Sequence, residues 1–185
     1  MNHRPEIWAL PVLAAVVIVA AVFDARKGKI PNAVTYPAIL IGLTGQWLTG
    51  GSDGLVRALL GLAAGFGPLA VCWACGGLGG GDVKLMGAVG ALTNWKFTVA
   101  GLFCGLAVAV VMAVFVMIRR RIVRRTLGRI WRAVWVALAP GVKGGGPATT
   151  DSPKIPFGVA LCIGVGGALV DGFLGGPLAS ALLGN

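Results

Sequence analysis

Two aspartates, Asp24 and Asp82, combine a residue type and a setting that indicate catalysis. Asp24 follows the first long apolar run, and Asp82 follows a glycine-rich stretch, residues 76–81, between two further apolar runs. An Asp at the centre of a bilayer costs about 2.5–3.5 kcal/mol, so we expect both side chains at helix ends near one membrane face. Two carboxylates that lie close together cannot both ionise easily and therefore share a proton.

The chemistry expected of such a pair is hydrolysis of a peptide bond without a metal or other cofactor. One carboxylate takes a proton from water while the other, protonated, polarises the peptide carbonyl. His3 is the only histidine, so we expect neither a zinc site nor a Ser-His-Asp or Cys-His mechanism. Cys72 and Cys75 lie in an apolar run without a second such pair, and we expect small buried side chains there.

The composition predicts an integral membrane protein. Hydrophobic residues make up 57% of the chain, 12% are charged and the mean hydropathy is +0.87, which is too apolar for the surface of a soluble globule. We expect an all-α protein of about six transmembrane helices, forming a single membrane peptidase domain over residues 1–185. The apolar runs that predict spans are residues 7–23, 33–48, 55–75, 97–118 and 155–174.

The segments between these runs carry further expectations. Residues 83–93 are apolar but short for a span, so we expect them to be tilted, enclosed by other helices or served by a thinned bilayer. A turn over residues 49–54 separates the second span from the third. Asn32, which follows Pro31, is expected to cap the second helix.

The distribution of cations predicts the orientation in the membrane. Thirteen of the sixteen Lys and Arg residues lie in residues 119–155 or in the loops that contain the two acids, so these loops are expected in the cytoplasm. Within 119–155, Arg119–Arg132 interleaves arginines with apolar residues at helical spacing. We expect an amphipathic helix in the cytoplasmic interface that binds anionic lipid headgroups and no nucleic acid.

Three segments carry a resemblance to a known family. The sequence GGGDVKLM at residues 79–86 resembles the GxGD motif of the type IV prepilin peptidases, which are membrane aspartyl proteases. Asp24, followed by KIPN at residues 29–32, resembles the first catalytic motif of that family. The sequence KIPFG at residues 154–158 resembles the segment that opens its last helix. The motifs occur in the family's order and cover most of the chain.

The resemblance implies a function and a set of site residues. Asp24 and Asp82 would be the catalytic pair, cleaving the leader peptides of pilin-like precursors after a glycine at the cytoplasmic face of the inner membrane. The absence of paired CxxC motifs in a cytoplasmic region resembles the short form found with Flp/Tad pili, in which methyl transfer is not expected. The positions expected to bind substrate or support the site are Gly79, Gly81, Lys84, Pro31, Asn32, Pro156 and Gly158.

The residues by themselves leave two alternative functions open. A scaffold for pilus or secretion assembly would use the polar loops to bind partners. A small proton-coupled transporter could use the two acids as a proton site, although both are expected near one face rather than at mid-membrane. Lys84 could hold one acid ionised, or it could be an interfacial lysine whose ammonium reaches water.

Overall fold

The structure, a computed structural model, describes residues 7–119 and 157–174. In these ranges the chain forms five α-helices and no β-strand, which confirms the all-α class. The helices, numbered in chain order, are α1 (Ala9–Lys27), α2 (Asn32–Ala74), α3 (Gly80–Leu92), α4 (Trp95–Arg119) and α5 (Phe157–Leu174).

The membrane character of the helices is confirmed, but the expected number of spans is not. Three helices, α1, α2 and α4, are long and apolar enough to cross a membrane, and α5 is apolar over the shorter stretch Phe157–Asp171. Many of their large apolar side chains are exposed, as expected where helices face lipid. The predicted interfacial helix, Arg119–Arg132, lies outside the described residues except for Arg119.

A single glycine divides α2 into two halves. The helix has 43 residues, and within it Gly51 has a φ of 57° and a ψ of −141°, a backbone conformation that glycine adopts most readily. The turn predicted over 49–54 is therefore present, but it is confined to this residue, since the residues on both sides are helical. Residues 32–50 and 52–74 consequently run in different directions.

The two halves of α2 enclose α3 at backbone contact. A Cβ added at Gly42 would lie 2.7 Å from the carbonyl carbon of Ala91, and one added at Gly61 would lie 2.8 Å from that of Gly90. Real Cβ atoms do not approach backbone so closely, so the packing requires glycine at both positions. Farther along α2, Gly65 meets Met86, so the second half of α2 runs antiparallel to α3.

Burial of α3 explains how so short a helix fits a membrane protein. It has 13 residues, and every residue from Leu85 to Leu92 is buried. At 1.5 Å per residue it is about 20 Å long, shorter than the ~30 Å hydrocarbon core. The helix is therefore enclosed by its neighbours, and this confirms one of the three alternatives expected for residues 83–93.

Helix α5 completes the arrangement that forms the site. A Cβ added at Gly101 of α4 would lie 3.2 Å from Val165, and one added at Gly105 would lie 2.8 Å from the Leu161 side chain, so α4 and α5 pack closely and antiparallel. Helix α5 also packs against α1 and α3. Its first turn thereby lies beside the last turns of α1 and the first turn of α3.

Candidate active site

Asp24 lies inside α1, one turn before the helix ends. Its backbone carbonyl accepts a hydrogen bond of 2.8 Å from the N–H of Gly28, which caps the helix with a φ of 60°. Its carboxylate is buried, with 7% of the residue exposed. The acid is therefore held by regular helix rather than by the loop that follows, and its side chain points into the protein.

Asp82 lies in the first turn of α3. Gly79 is the N-cap residue, with extended backbone, and its carbonyl accepts a hydrogen bond of 3.1 Å from the N–H of Asp82. A Cβ added at Gly79 would lie 3.1 Å from Oδ2 of Asp82, so this carboxylate lies against the glycine. Asp82 is also buried, with 8% of the residue exposed.

The first turn of α5 brings the two acids together. A Cβ added at Gly158 would lie 2.8 Å from Oδ2 of Asp24 and 2.9 Å from Oδ1 of Asp82. The same Asp24 oxygen accepts a hydrogen bond of 3.0 Å from the backbone N–H of Val159. That N–H belongs to the first turn of a helix, where backbone donors have no partner within the helix and favour an anion. Two carboxylates and a helix N-terminus thus converge on one glycine.

The surroundings of Asp82, which lies outside the three candidate spans, favour its protonated form. Burial and the nearby Asp24 carboxylate raise the pKa of Asp82 from 3.8 to about 7, against a smaller lowering by a hydrogen bond from the Gly79 backbone. A carboxyl group in this range can donate a proton near neutral pH while a neighbouring carboxylate accepts one. The pair therefore has the components of acid–base hydrolysis.

The segment between α1 and α2 is attached to α3 on both sides of Asp82. A Cβ added at Gly81 would lie 3.2 Å from Cβ of Ile30 and 3.3 Å from its carbonyl oxygen, which is a close approach of the two backbones. On the other side, Nζ of Lys84 donates a hydrogen bond of 3.0 Å to Oδ1 of Asn32. The ammonium also lies 4.9 Å from the centre of the Tyr36 ring.

Most of the predicted site residues are close to the two acids, in three groups. Gly79 and Gly158 contact the carboxylates, whereas Gly81 and Lys84 contact the segment that begins α2. Pro31 is the N-cap residue of α2, and Asn32, the first residue of that helix, accepts a hydrogen bond from Lys84. The remaining position, Pro156, lies outside the described residues.

Two sequence-based expectations are wrong. Helix α2 begins at Asn32 itself, after Pro31, with no side-chain cap, and the Asn32 amide accepts from Lys84 instead of capping the helix. Cys72 and Cys75 are exposed rather than buried, since they lie in the last turn of α2 and directly after it. Among the described residues, no group of three or more His, Cys, Asp or Glu side chains could hold a metal ion.

Two contributors to the site were missed in the sequence. The Val159 N–H is a backbone group, and only its place in the first turn of a helix opened by proline and glycine gives a sequence signal for it. Tyr36 lies four residues after Asn32, so the two side chains share one face of α2. That spacing could have linked Tyr36 to the expected Asn32 site.

Comparisons with known proteins cover both acids. A profile of the type IV leader peptidase family matches residues 11–118. The chain is similar to a prepilin leader peptidase/N-methyltransferase of Bacillus subtilis (strain 168), with 31% identity over 122 residues, which are 65% of this chain and 49% of the relative. The chain thus spans about half the length of the curated relative that it matches. No solved structure matches it.

Proposed function

Because the chain belongs to the type IV leader peptidase family, we propose that it is a membrane aspartyl endopeptidase that removes leader peptides from pilin-like precursors. The observation that carries the proposal is the convergence of Asp24 and Asp82 on Gly158, which places both carboxylates within 3 Å of one point. A peptide bond brought to this point can be attacked by water without a covalent intermediate. Proximity of this kind accounts for a large share of enzymatic rate enhancement.

The surroundings of the two carboxylates favour different roles. Asp24 accepts a hydrogen bond from the Val159 N–H, which stabilises the negative charge of its carboxylate. We therefore assign Asp24 the role of the base that takes a proton from the attacking water. Asp82 starts protonated and donates its proton to the carbonyl oxygen as the water oxygen bonds to the carbonyl carbon. In the second step the C–N bond breaks, and the amine leaves with a proton returned by Asp24. Asp82 recovers its proton when the carbonyl re-forms.

The membrane setting suits a precursor with a basic leader and an apolar helix. The leader would remain in the cytoplasm, the helix would lie in the bilayer, and the scissile bond would meet Asp24 and Asp82 at the cytoplasmic face of the inner membrane. The same proposal includes substrates of the Flp/Tad type and peptidase activity without methyl transfer. It also includes an interfacial role for Arg119–Arg132, which would bind anionic lipids. The proposed protein has about six membrane-spanning helices in total.

Cleavage of a defined precursor tests the function. The full chain is co-expressed with a pilin-like precursor that has a basic leader ending in glycine and an apolar helix after it. We expect the wild type to trim this precursor after the glycine, and Asp24→Asn and Asp82→Asn to abolish trimming while both variants still insert. Mass spectrometry of the precursor and membrane levels of each variant provide the measurement.

The outcomes separate the proposed function from its alternatives. Normal trimming by both variants would exclude the aspartyl mechanism. If the wild type trims no precursor, the assembly scaffold and the proton-coupled transporter become the better explanations of two buried acids. Loss of trimming only through loss of the protein from the membrane would count against a catalytic role.

A further inference from the structure

Lys84 makes two contacts that the proposed mechanism does not use. Its ammonium donates to the side-chain oxygen of Asn32 at 3.0 Å and lies 4.9 Å from the centre of the Tyr36 ring. Asn32 is the first residue of α2, and Tyr36 is one turn later on the same face. We call this group, Lys84 with Asn32 and Tyr36, the Lys84 bridge.

Both partners of the Lys84 ammonium belong to α2. Lys84 is the fifth residue of α3, and its hydrogen bond to Asn32 lies at the protein surface. The amide oxygen of Asn32 and the face of the Tyr36 ring are both partners that attract an ammonium group. The charge is therefore stabilised by α2, and the two helices are connected at the level of the acids.

The bridge lies at the start of α3, which no side chain caps. Gly79, the N-cap residue, makes no side-chain capping bond, and the next two residues of α3 are glycines, which favour helix weakly. Asp82 follows directly. The remaining restraint on this turn from the α1–α2 segment is the close approach of Gly81 to Ile30. Gly81 and Lys84 thus hold the turn from either side of Asp82.

We propose that Lys84 is a positioning residue, which fixes the first turn of α3 against the start of α2 so that Asp82 faces Asp24 at Gly158. This deepens the proposed function and rests on it. The effect is mechanical: Lys84 acts through the backbone of α3, and its charge is engaged by Asn32 and Tyr36. Removing the bridge therefore lowers turnover and leaves substrate affinity and the pH dependence of turnover unchanged.

Kinetics of the purified full chain in detergent test this. The precursor described above is the substrate, and the variants are Lys84→Met, Lys84→Arg, Asn32→Leu and the double variant Lys84→Met/Asn32→Leu. We expect Lys84→Met to lower kcat by about 10- to 100-fold, the range for small misplacements of catalytic groups, with KM and the pH profile unchanged. Lys84→Arg should restore most of the loss, since arginine donates to amides and stacks on aromatic rings. The double variant should be no slower than the slower single one.

A second lysine beside an aromatic ring provides the matched control. Lys96 lies 5.9 Å from the Trp95 ring at the start of α4, and Lys96→Met should leave kcat unchanged. Full turnover in Lys84→Met, additive losses in the double variant, a change in KM alone or a shifted pH profile would each overturn the proposal. Failure of Lys84→Met to accumulate in the membrane would also overturn it, in favour of a purely stabilising role.

A measurement without substrate separates this proposal from the proposed function. Hydrogen exchange of the amides at residues 79–84 should be faster in Lys84→Met than in the wild type, while that at residues 86–92 should not change. Unchanged exchange at residues 79–84 would overturn the positioning role even if the precursor is cleaved. Faster exchange together with a wild type that cleaves no precursor would support the bridge and count against the peptidase function.

Discussion

The two ends of α3 are built in opposite ways. At the C-terminal end, the buried Gln46 side chain of α2 donates to the carbonyls of Leu92 and Thr93, at 3.4 and 3.1 Å, and the Thr93 hydroxyl donates to Val89 at 2.7 Å. At the N-terminal end no side chain caps the helix, and the first turn consists of two glycines and the buried Asp82. The C-terminal end thus has hydrogen-bond donors for its backbone carbonyls, whereas the N-terminal end holds Asp82 beside Asp24.

The glycines near these two ends show the same contrast. Added Cβ atoms at Gly61 and Gly90 would meet backbone, which cannot move without separating α2 from α3. The atoms nearest to an added Cβ at Gly158 would be the ends of the Asp24 and Asp82 side chains, which can rotate away. Glycine thus maintains the fold at one end of the helix and the geometry of two carboxylates at the other.

The sharpest test of this comparison is Gly158→Ala. The new methyl group would displace both carboxylates but no backbone, so we expect kcat to fall by about 100-fold, as for a misplacement of about 1 Å, while the protein still inserts and folds. Precursor cleavage and the thermal unfolding midpoint in detergent measure the two effects separately.

Gly167→Ala on the same helix is the matched control, because a Cβ there meets nothing within 4 Å. It should leave both readouts close to those of the wild type. A Gly158→Ala protein that cleaves at the wild-type rate would break the comparison, since the carboxylates would then not depend on this contact.

The opposite result is expected at the other end of α3, from Gln46→Ala. Gln46 is 3% exposed, and its loss leaves two buried carbonyls without their donor, so we expect the free energy of unfolding to fall by about 1–3 kcal/mol. Because Asp82 lies about 15 Å away along α3, turnover of the folded protein should change little. Denaturation in detergent and kcat at a temperature where both proteins are folded provide the test.

Thr44→Ala is the control for this substitution. The Thr44 side chain is exposed and donates to Leu40 of its own helix at 2.7 Å, so its removal should cost less than about 0.5 kcal/mol. If Gln46→Ala lowers kcat as strongly as Gly158→Ala does, the two ends are coupled and the comparison fails.

A third expected effect is a pH dependence of turnover. Because the pKa of Asp82 is raised to about 7, the protonated acid that the mechanism needs is lost above that pH. We expect kcat to fall by about tenfold for each pH unit above 7, as for loss of one essential proton. Precursor cleavage between pH 5 and 9 measures it, and a flat profile over this range would contradict the role of Asp82 as the acid.

Unfolding gives an independent check on the same group. In the pH window between 3.8, the ordinary pKa, and about 7, folded Asp82 holds a proton that the unfolded chain has lost. The contribution of Asp82 to stability is therefore complete at low pH and is lost as the pH rises through this window. Asp82→Asn should remove that part of the pH dependence. An unchanged dependence in the variant would assign it to another group.

The sequence alone predicts the membrane character, the candidate pair of acids and the turn between the two halves of α2. These features depend on local composition: long apolar runs, a carboxylate that is costly in lipid and a glycine that permits a positive φ at Gly51. Enclosure by other helices was one of three alternatives expected for residues 83–93, because so short an apolar run cannot span a bilayer alone.

How these parts meet depends on the packing of the helices. The bond between Asp24 and Val159 joins residues 135 positions apart, and the contact of Gly158 with both acids requires α1, α3 and α5 to pack together. The bond between Lys84 and Asn32 likewise depends on how α3 lies against α2. No periodicity in a sequence encodes such distances, because they follow from which helix faces approach most closely. Here that approach is set by glycines, which have no side chain to indicate their partner.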